Sequence, residues 1–201
     1  MIAIVTGDII NSEKHQVSEW MSILKKHLTK FGNSPQDWEV YRGDEFQLKI
    51  EDEKALRVAI VLKAKIKTIK GLDVRMGIGI GEESFKGASV SESNGSAYQL
   101  SGRIFEKLKD QKLSLAIATA NDKTDHTLNL IIRLALDFMD EWSPVSAEII
   151  TLMLENPNMQ QQEIADLLGI QQSAVSQRQK RARLELVQQV LTYYSTIINT
   201  L

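Results

Sequence analysis

Hydrophobic and polar positions along the chain follow two rhythms, a short one that suits strands and a longer one that suits helices. Residues 2–6 are a β-branched run, Ile-Ala-Ile-Val-Thr, which predicts a buried strand ending at Gly7-Asp8. Val17, Trp20, Met21, Leu24, Leu28 and Phe31 fall at helical spacing and predict a helix over 17–31, stopped by Gly32, Asn33, Ser34 and Pro35. Two strand-like runs follow at 38–42 and 46–50, joined across Gly43-Asp44. Leu56, Ala59, Ile60, Lys63 and Ile66 mark a second amphipathic helix over 53–70, closed by Gly71. Residues 74–80 read as a fourth strand, thinned by Gly77 and Gly79. The order β-α-β-β-α-β is the split unit of a ferredoxin-like sheet.

The pattern then loosens. Residues 84–97 are polar and rich in Ser and Gly, which suits either a solvated loop or a mobile loop that closes over a ligand. A short helix over 98–109 and a fifth strand over 113–119 come next. Residues 121–127 read as a linker into a helix over 128–142, and every run from Pro144 onward is helical in pattern. The expected class is α+β: a sheet domain over 1–120, a connecting helix over 121–142 and an all-α domain over 143–201.

Composition changes this picture only by exclusion. With 201 residues, a hydrophobic share of 43% and a net charge of −2, the chain can build a core and carries no bulk charge that points to nucleic acid or membrane. Any basic patch must be local. There are no cysteines, so disulfides and thiolate metal sites are excluded. The start, Met-Ile-Ala-Ile-Val-Thr-Gly-Asp, lacks the basic opening and long apolar run of a signal peptide, and charged residues interrupt every apolar stretch. The expectation is a soluble cytoplasmic protein with no membrane partner. His15, His27 and His126 have no partners at ligand spacing and read as ordinary surface or helix residues, while Trp20, Trp38 and Trp142 read as core.

The strongest local basic patch lies near the C-terminus. Residues 162–175 fit a helix-turn-helix: Ala165 is small where helices cross, Gly169 suits a left-handed turn, and Ile170 and Val175 pack the second helix on the first. That second helix then presents Gln171, Gln172, Ser173, Ser176 and Gln177, side chains able to read base edges. Arg178, Lys180, Arg181 and Arg183 follow as phosphate partners. The competing reading is a helical hairpin used for packing or dimerisation. A last helix with Leu184, Val187, Leu191, Tyr194 and Ile198 on one face either joins two subunits or closes its own domain, and closure is the expected use.

In a β-α-β-β-α-β sheet the first strand runs antiparallel to the third. Asp8, at the end of one, and Asp44, at the start of the other, then share a ledge suited to a hard divalent cation. Glu45 points to the face opposite Asp44. Arg42 either binds phosphate or pairs with Asp44.

These same stretches carry a resemblance. Residues 2–10, Ile-Ala-Ile-Val-Thr-Gly-Asp-Ile-Ile, resemble the first metal strand of class III nucleotide cyclases. Residues 41–48, Tyr-Arg-Gly-Asp-Glu-Phe-Gln-Leu, are similar to their second metal hairpin and to the Gly-Gly-Asp-Glu-Phe motif of diguanylate cyclases. Residues 74–82, Val-Arg-Met-Gly-Ile-Gly-Ile-Gly-Glu, look like the cyclase strand that follows the second helix, and residues 95–104 like the segment whose Asn and Arg steady the transferring phosphate. The sequence keeps that Arg as Arg103 and has Gln99 where Asn is usual. It departs from the pattern at Val40, where cyclases read the purine with Lys or Glu, and at Arg42, which replaces the first Gly and crowds the turn. The C-terminal motif resembles the sigma-70 region 4 type over about residues 143–187.

End to end, the chain resembles the SatD family, a cyclase-like palm followed by a helix-turn-helix, through residues 6–12, 42–48, 77–82, 91–97 and the C-terminal motif. The resemblance implies magnesium or manganese at Asp8 and Asp44, and a nucleotide or phosphorylated ligand near Asn11, Ser12, Arg42, Asn94, Gly95 and Ser96. It implies catalytic roles for Arg103 and Gln99 if the palm is active. Two functions follow as expectations. One is a DNA-binding regulator, as a monomer or a homodimer, whose palm binds a nucleotide or phosphorylated ligand; the other is a nucleotidyl cyclase or related metal-dependent phosphoryl transferase.

Overall fold

The computed structural model describes residues 1–200. Five strands, β1 (Ile2–Ile10), β2 (Trp38–Tyr41), β3 (Glu45–Glu51), β4 (Asp73–Gly81) and β5 (Leu115–Ala118), form one mixed sheet in the order β2-β3-β1-β4-β5. All neighbours are antiparallel except β4 and β5, which are parallel. The eight α-helices are α1 (Val17–Leu28), α2 (Ala55–Lys67), α3 (Ser96–Gln111), α4 (Asp122–Met139), α5 (Pro144–Glu155), α6 (Gln161–Leu168), α7 (Gln172–Arg181) and α8 (Leu184–Ile198).

Both faces of the sheet are covered, which is why β1 is buried almost continuously rather than at alternate positions. Ala3, Val5 and Ile9 share a core with Trp20 and Leu24 of α1 and with α2, while Ile4 packs with Val90, Ala97 and Tyr98 on the other face. On that second face α3 lies against β4 so closely that a Cβ on Gly79 would sit 2.2 Å from the Ala97 carbonyl oxygen. The glycines that thin the fourth strand in sequence are thus the floor for a helix.

Four expectations change. The first strand does not end at Gly7-Asp8 but runs on to Ile10. Gly7 is there because the sheet leaves no room for a side chain, its Cβ position being 2.6 Å from the Arg75 carbonyl oxygen. The polar segment at 84–97 is largely exposed but tied down: Val90 is fully buried, its N–H donates to the Pro35 carbonyl, and Phe85 and Asn94 form a β-bridge. The supposed linker at 121–127 is the first turn of α4, capped by Asn121, whose side-chain oxygen accepts from the Thr124 N–H at 3.0 Å. And α2 is buried nearly all round, because α5 covers the side turned away from the sheet.

The helical region is not held by a tether. A single apolar core runs from the sheet through α2 and α5 to α8. Leu184, Val187, Leu191, Tyr194 and Ile198 face inward, and the Tyr194 hydroxyl donates to the Asp52 carbonyl at 2.6 Å, so α8 closes its own chain. The Trp142 indole N–H donates to the Ala182 carbonyl at 2.9 Å, fixing the corner between α7 and α8. Among the described residues no helix is long and apolar enough to cross a membrane.

His27 is a helix residue of α1, and it is buried in the core. Its Nε2–H donates to the Val58 carbonyl at 3.1 Å, and its Nδ1 has no partner. Burial, reinforced by Lys65, lowers its pKa to about 4. Protonation is therefore easier in the unfolded chain, and stability falls as pH drops from 6.5 toward 4. The expected loss by pH 5 is about 2 kcal/mol relative to pH 7.5, read from urea midpoints. A His27→Gln variant that keeps this loss would show that other groups cause it.

Candidate functional site

Antiparallel register places Asp8 opposite Glu45 on β3 and opposite Arg75 on β4. Directly paired residues share a face, so the three side chains form a row on the α3 side. Arg75 grips Asp8 with both ends of its fork: Nε donates to Oδ1 at 3.1 Å and Nη2 donates to Oδ2. Both side chains are only 18% exposed, and the guanidinium carbon lies 5.7 Å from the Phe105 ring centre. A bidentate Arg–carboxylate pair of this kind is among the stronger polar contacts in proteins.

Asp44 sits in the turn between β2 and β3, and the Ser12 hydroxyl donates to its Oδ2. Asn11, in the left-handed region, donates from Nδ2 to the Gly71 carbonyl at 3.0 Å and accepts from Lys14. Asn11 and Ser12 therefore tie the end of β1 to the hairpin and to the α2–β4 turn. Arg42 also has a left-handed φ, 49°, where the motif it resembles has Gly. Its side chain is 80% exposed and meets Glu45 at 3.9 Å; the expected alternative pairing with Asp44 is not the one formed. Burial and then the Glu45 carboxylate push the Tyr41 pKa up.

The remaining residues expected at the ledge are elsewhere. Ser96 accepts from the Glu82 N–H at 2.8 Å, and the Asn94 side chain accepts from the Gly95 N–H at 2.7 Å. They stand beside Gly81, the end of β4 remote from Arg75, about 20 Å away at the usual strand rise. The phosphate set thus divides: Asn11, Ser12 and Arg42 at one end of the sheet, Asn94, Gly95 and Ser96 at the other. Gln99 and Arg103 lie between them on the exposed side of α3, with no side-chain hydrogen bond among the described residues.

A divalent cation does not fit the side chains as they stand. Asp8 is held by Arg75 and Asp44 by Ser12, and among the described residues no three His, Cys, Asp or Glu side chains converge as a metal site. Sequence reasoning missed Arg75, although it lies inside a stretch singled out for other reasons. Its alternation with Gly77 and Gly79 on the Asp8 face was the available signal.

The C-terminal residues come together as a unit. Gly169 caps α6 with φ 64° and ψ 34°, and the Ile170 N–H donates to the Ala165 carbonyl at 3.0 Å. Ala165 and Val175 are fully buried where α6 and α7 meet. Gln171, Gln172, Ser173, Gln177, Lys180, Arg181 and Arg183 are exposed, whereas Ser176 and Arg178 are half-buried. Arg178 is drawn to Glu148 of α5 at 3.3 Å, which makes it a brace between helices. Gln172 donates to Gln161 at 3.2 Å across the turn.

A family model for SatD matches residues 1–194. The chain belongs to the SatD family. No curated protein and no solved structure matches it. The SatD match spans the sheet and the helices alike, so the two regions are covered together and not as separate pieces.

Proposed function

We propose that this SatD-family protein is a cytoplasmic DNA-binding regulator whose sheet region binds a nucleotide or other phosphorylated ligand. The exposed face of α7 carries the reading. It presents Gln172, Ser173 and Gln177 ahead of Lys180 and Arg181, with exposed Gln171 at its N-cap and exposed Arg183 just past its end, on a helix joined to α6 through a left-handed glycine. These features support a helix-turn-helix reading, with amide side chains for base edges and cations for phosphates. The strand order and antiparallel pairing of β1 to β4 support a ferredoxin-like, palm-type sheet.

Fluorescence anisotropy on a random duplex tests the DNA contact. Binding should weaken steeply with salt, and replacing Lys180, Arg181 and Arg183 together by Ala should flatten the log–log slope by about 2.7 and weaken binding roughly 10- to 100-fold. Absent or salt-independent binding by the parent would remove the reading.

The enzyme alternative rests on Asp8, Asp44 and Glu45 standing at one end of the sheet. It requires Arg75 to release Asp8. Titrating ATP and GTP with and without magnesium, on the parent and on Asp8→Ala and Asp44→Ala, separates the two. Pyrophosphate release favours the enzyme. Magnesium-dependent binding that survives both substitutions eliminates the metal ledge.

A further inference from the structure

A cleft of about 650 Å³ opens where the sheet meets the junction between α4 and α5. That volume is in the range of small-molecule sites. Its walls come from four places: the end of β1, the α2–β4 turn, the α3–β5 turn and the segment 140–144. Leu72, Leu108 and Trp142, all nearly buried, give it an apolar side.

Its charge is uneven. Lys67, Lys70, Arg75 and Lys112 line it, against the carboxylates Asp73 and Asp140. Those two carboxylates are already met: Lys63 binds both at 2.7 Å, and Lys67 binds Asp73 at 3.1 Å. Arg75 is matched by Asp8. Lys70 and Lys112 are left with no carboxylate within 4 Å among the described residues, and both are exposed. The first turn of α5 opens onto the same cleft at Ser143 and Pro144 and contains no acidic residue, so its helix dipole adds to the positive field.

We propose that this cleft is the binding site for a small phosphorylated ligand, its phosphate held by Lys70 and Lys112 and its apolar part set against Trp142. The inference deepens the regulator reading by giving the effector a place other than the Asp8–Asp44 ledge; it depends on that reading only for what the ligand does. The route to DNA is short. Trp142 lines the cleft, and its indole N–H holds the Ala182 carbonyl immediately after α7. A ligand that moves or braces Trp142 acts on the helix that carries the DNA-facing side chains.

Calorimetry on the full chain with pyrophosphate, at ionic strength fixed with chloride, tests the site. The parent should bind pyrophosphate, and Lys70→Ala/Lys112→Ala should weaken binding at least tenfold without changing the ligand-free melting midpoint. Lys25→Ala/Lys26→Ala, two exposed lysines of α1, should bind as the parent does. Pyrophosphate binding no tighter than sulfate, or equal in the two double variants, overturns the site. Duplex anisotropy with pyrophosphate then reads the coupling: a change in DNA affinity of about fivefold or more is expected in the parent and lost in Lys70→Ala/Lys112→Ala. Pyrophosphate binding with unchanged DNA affinity overturns the coupling. A parent that binds pyrophosphate but no DNA refutes the regulator reading and leaves the cleft assignment standing.

Discussion

Gly79→Ala should destabilise the protein by about 3 kcal/mol or more, the upper end of what overpacking a core produces. The added Cβ would lie 2.2 Å from both the Ala97 carbonyl oxygen and the Ser101 N, which are backbone atoms of α3. No side-chain rotation relieves such a contact, so the helix must lift from the sheet. Lifting breaks the Ser101 hydroxyl contacts with Thr6 at 2.7 Å and with the Gly77 carbonyl at 3.0 Å. It also opens the small core of Ile4, Val90, Ala97 and Tyr98. Gly102 provides the contrast on the same helix: nothing lies within 4 Å of its Cβ position. Gly102→Ala should raise stability by about 0.5–1 kcal/mol, the usual preference of a helix interior for Ala. Urea unfolding of both variants checks this, and a Gly79→Ala loss below about 1 kcal/mol would refute the close contact.

The two glycine positions also show where sequence reading works and where it stops. Strand and helix order were legible because β-branched runs and helical stripes are local signals. The role of Gly7 and of the β4 glycines was not, because what excludes their side chains is a strand or helix distant in the chain. Reading Gly7 as a break shortened β1 and moved Asp8 to a ledge, when it stands inside the strand facing Arg75. Asn121 reads as loop chemistry in the sequence because the residues that favour turns are also those that cap helices. The C-terminal unit was legible for the opposite reason: Ala165, Gly169 and Val175 act within a few residues of one another. For Asp8 and Asp44 the partners, Arg75 and Ser12, were not legible, since a carboxylate's sequence does not state which cation or hydroxyl the fold brings to it.

Lys63 is the extreme of that limit: it stands on the apolar stripe of α2, and its partners are set only by the fold. Its side chain is 0% exposed and its ammonium meets Asp73 and Asp140 at 2.7 Å and the Ser114 hydroxyl at 3.0 Å. The cluster pins the end of α4 to the sheet beneath the basic cleft. Lys63→Ala should lower stability by about 3 kcal/mol, the lower end for breaking a buried pair, because Asp140 is 38% exposed and Asp73 retains Lys67. Lys63→Met keeps the stem packing and should lose less. Adding Asp140→Asn to Lys63→Met should restore part of the loss, since a charge left without its partner contributes most of it. Urea unfolding of the single and double variants measures that coupling. Additive effects of Lys63→Met and Asp140→Asn would show that the two side chains do not act as a pair, and that α4 is held to the sheet by apolar packing and by the contacts of Asn129 with the Ile117 N–H and carbonyl at 2.9 and 2.7 Å.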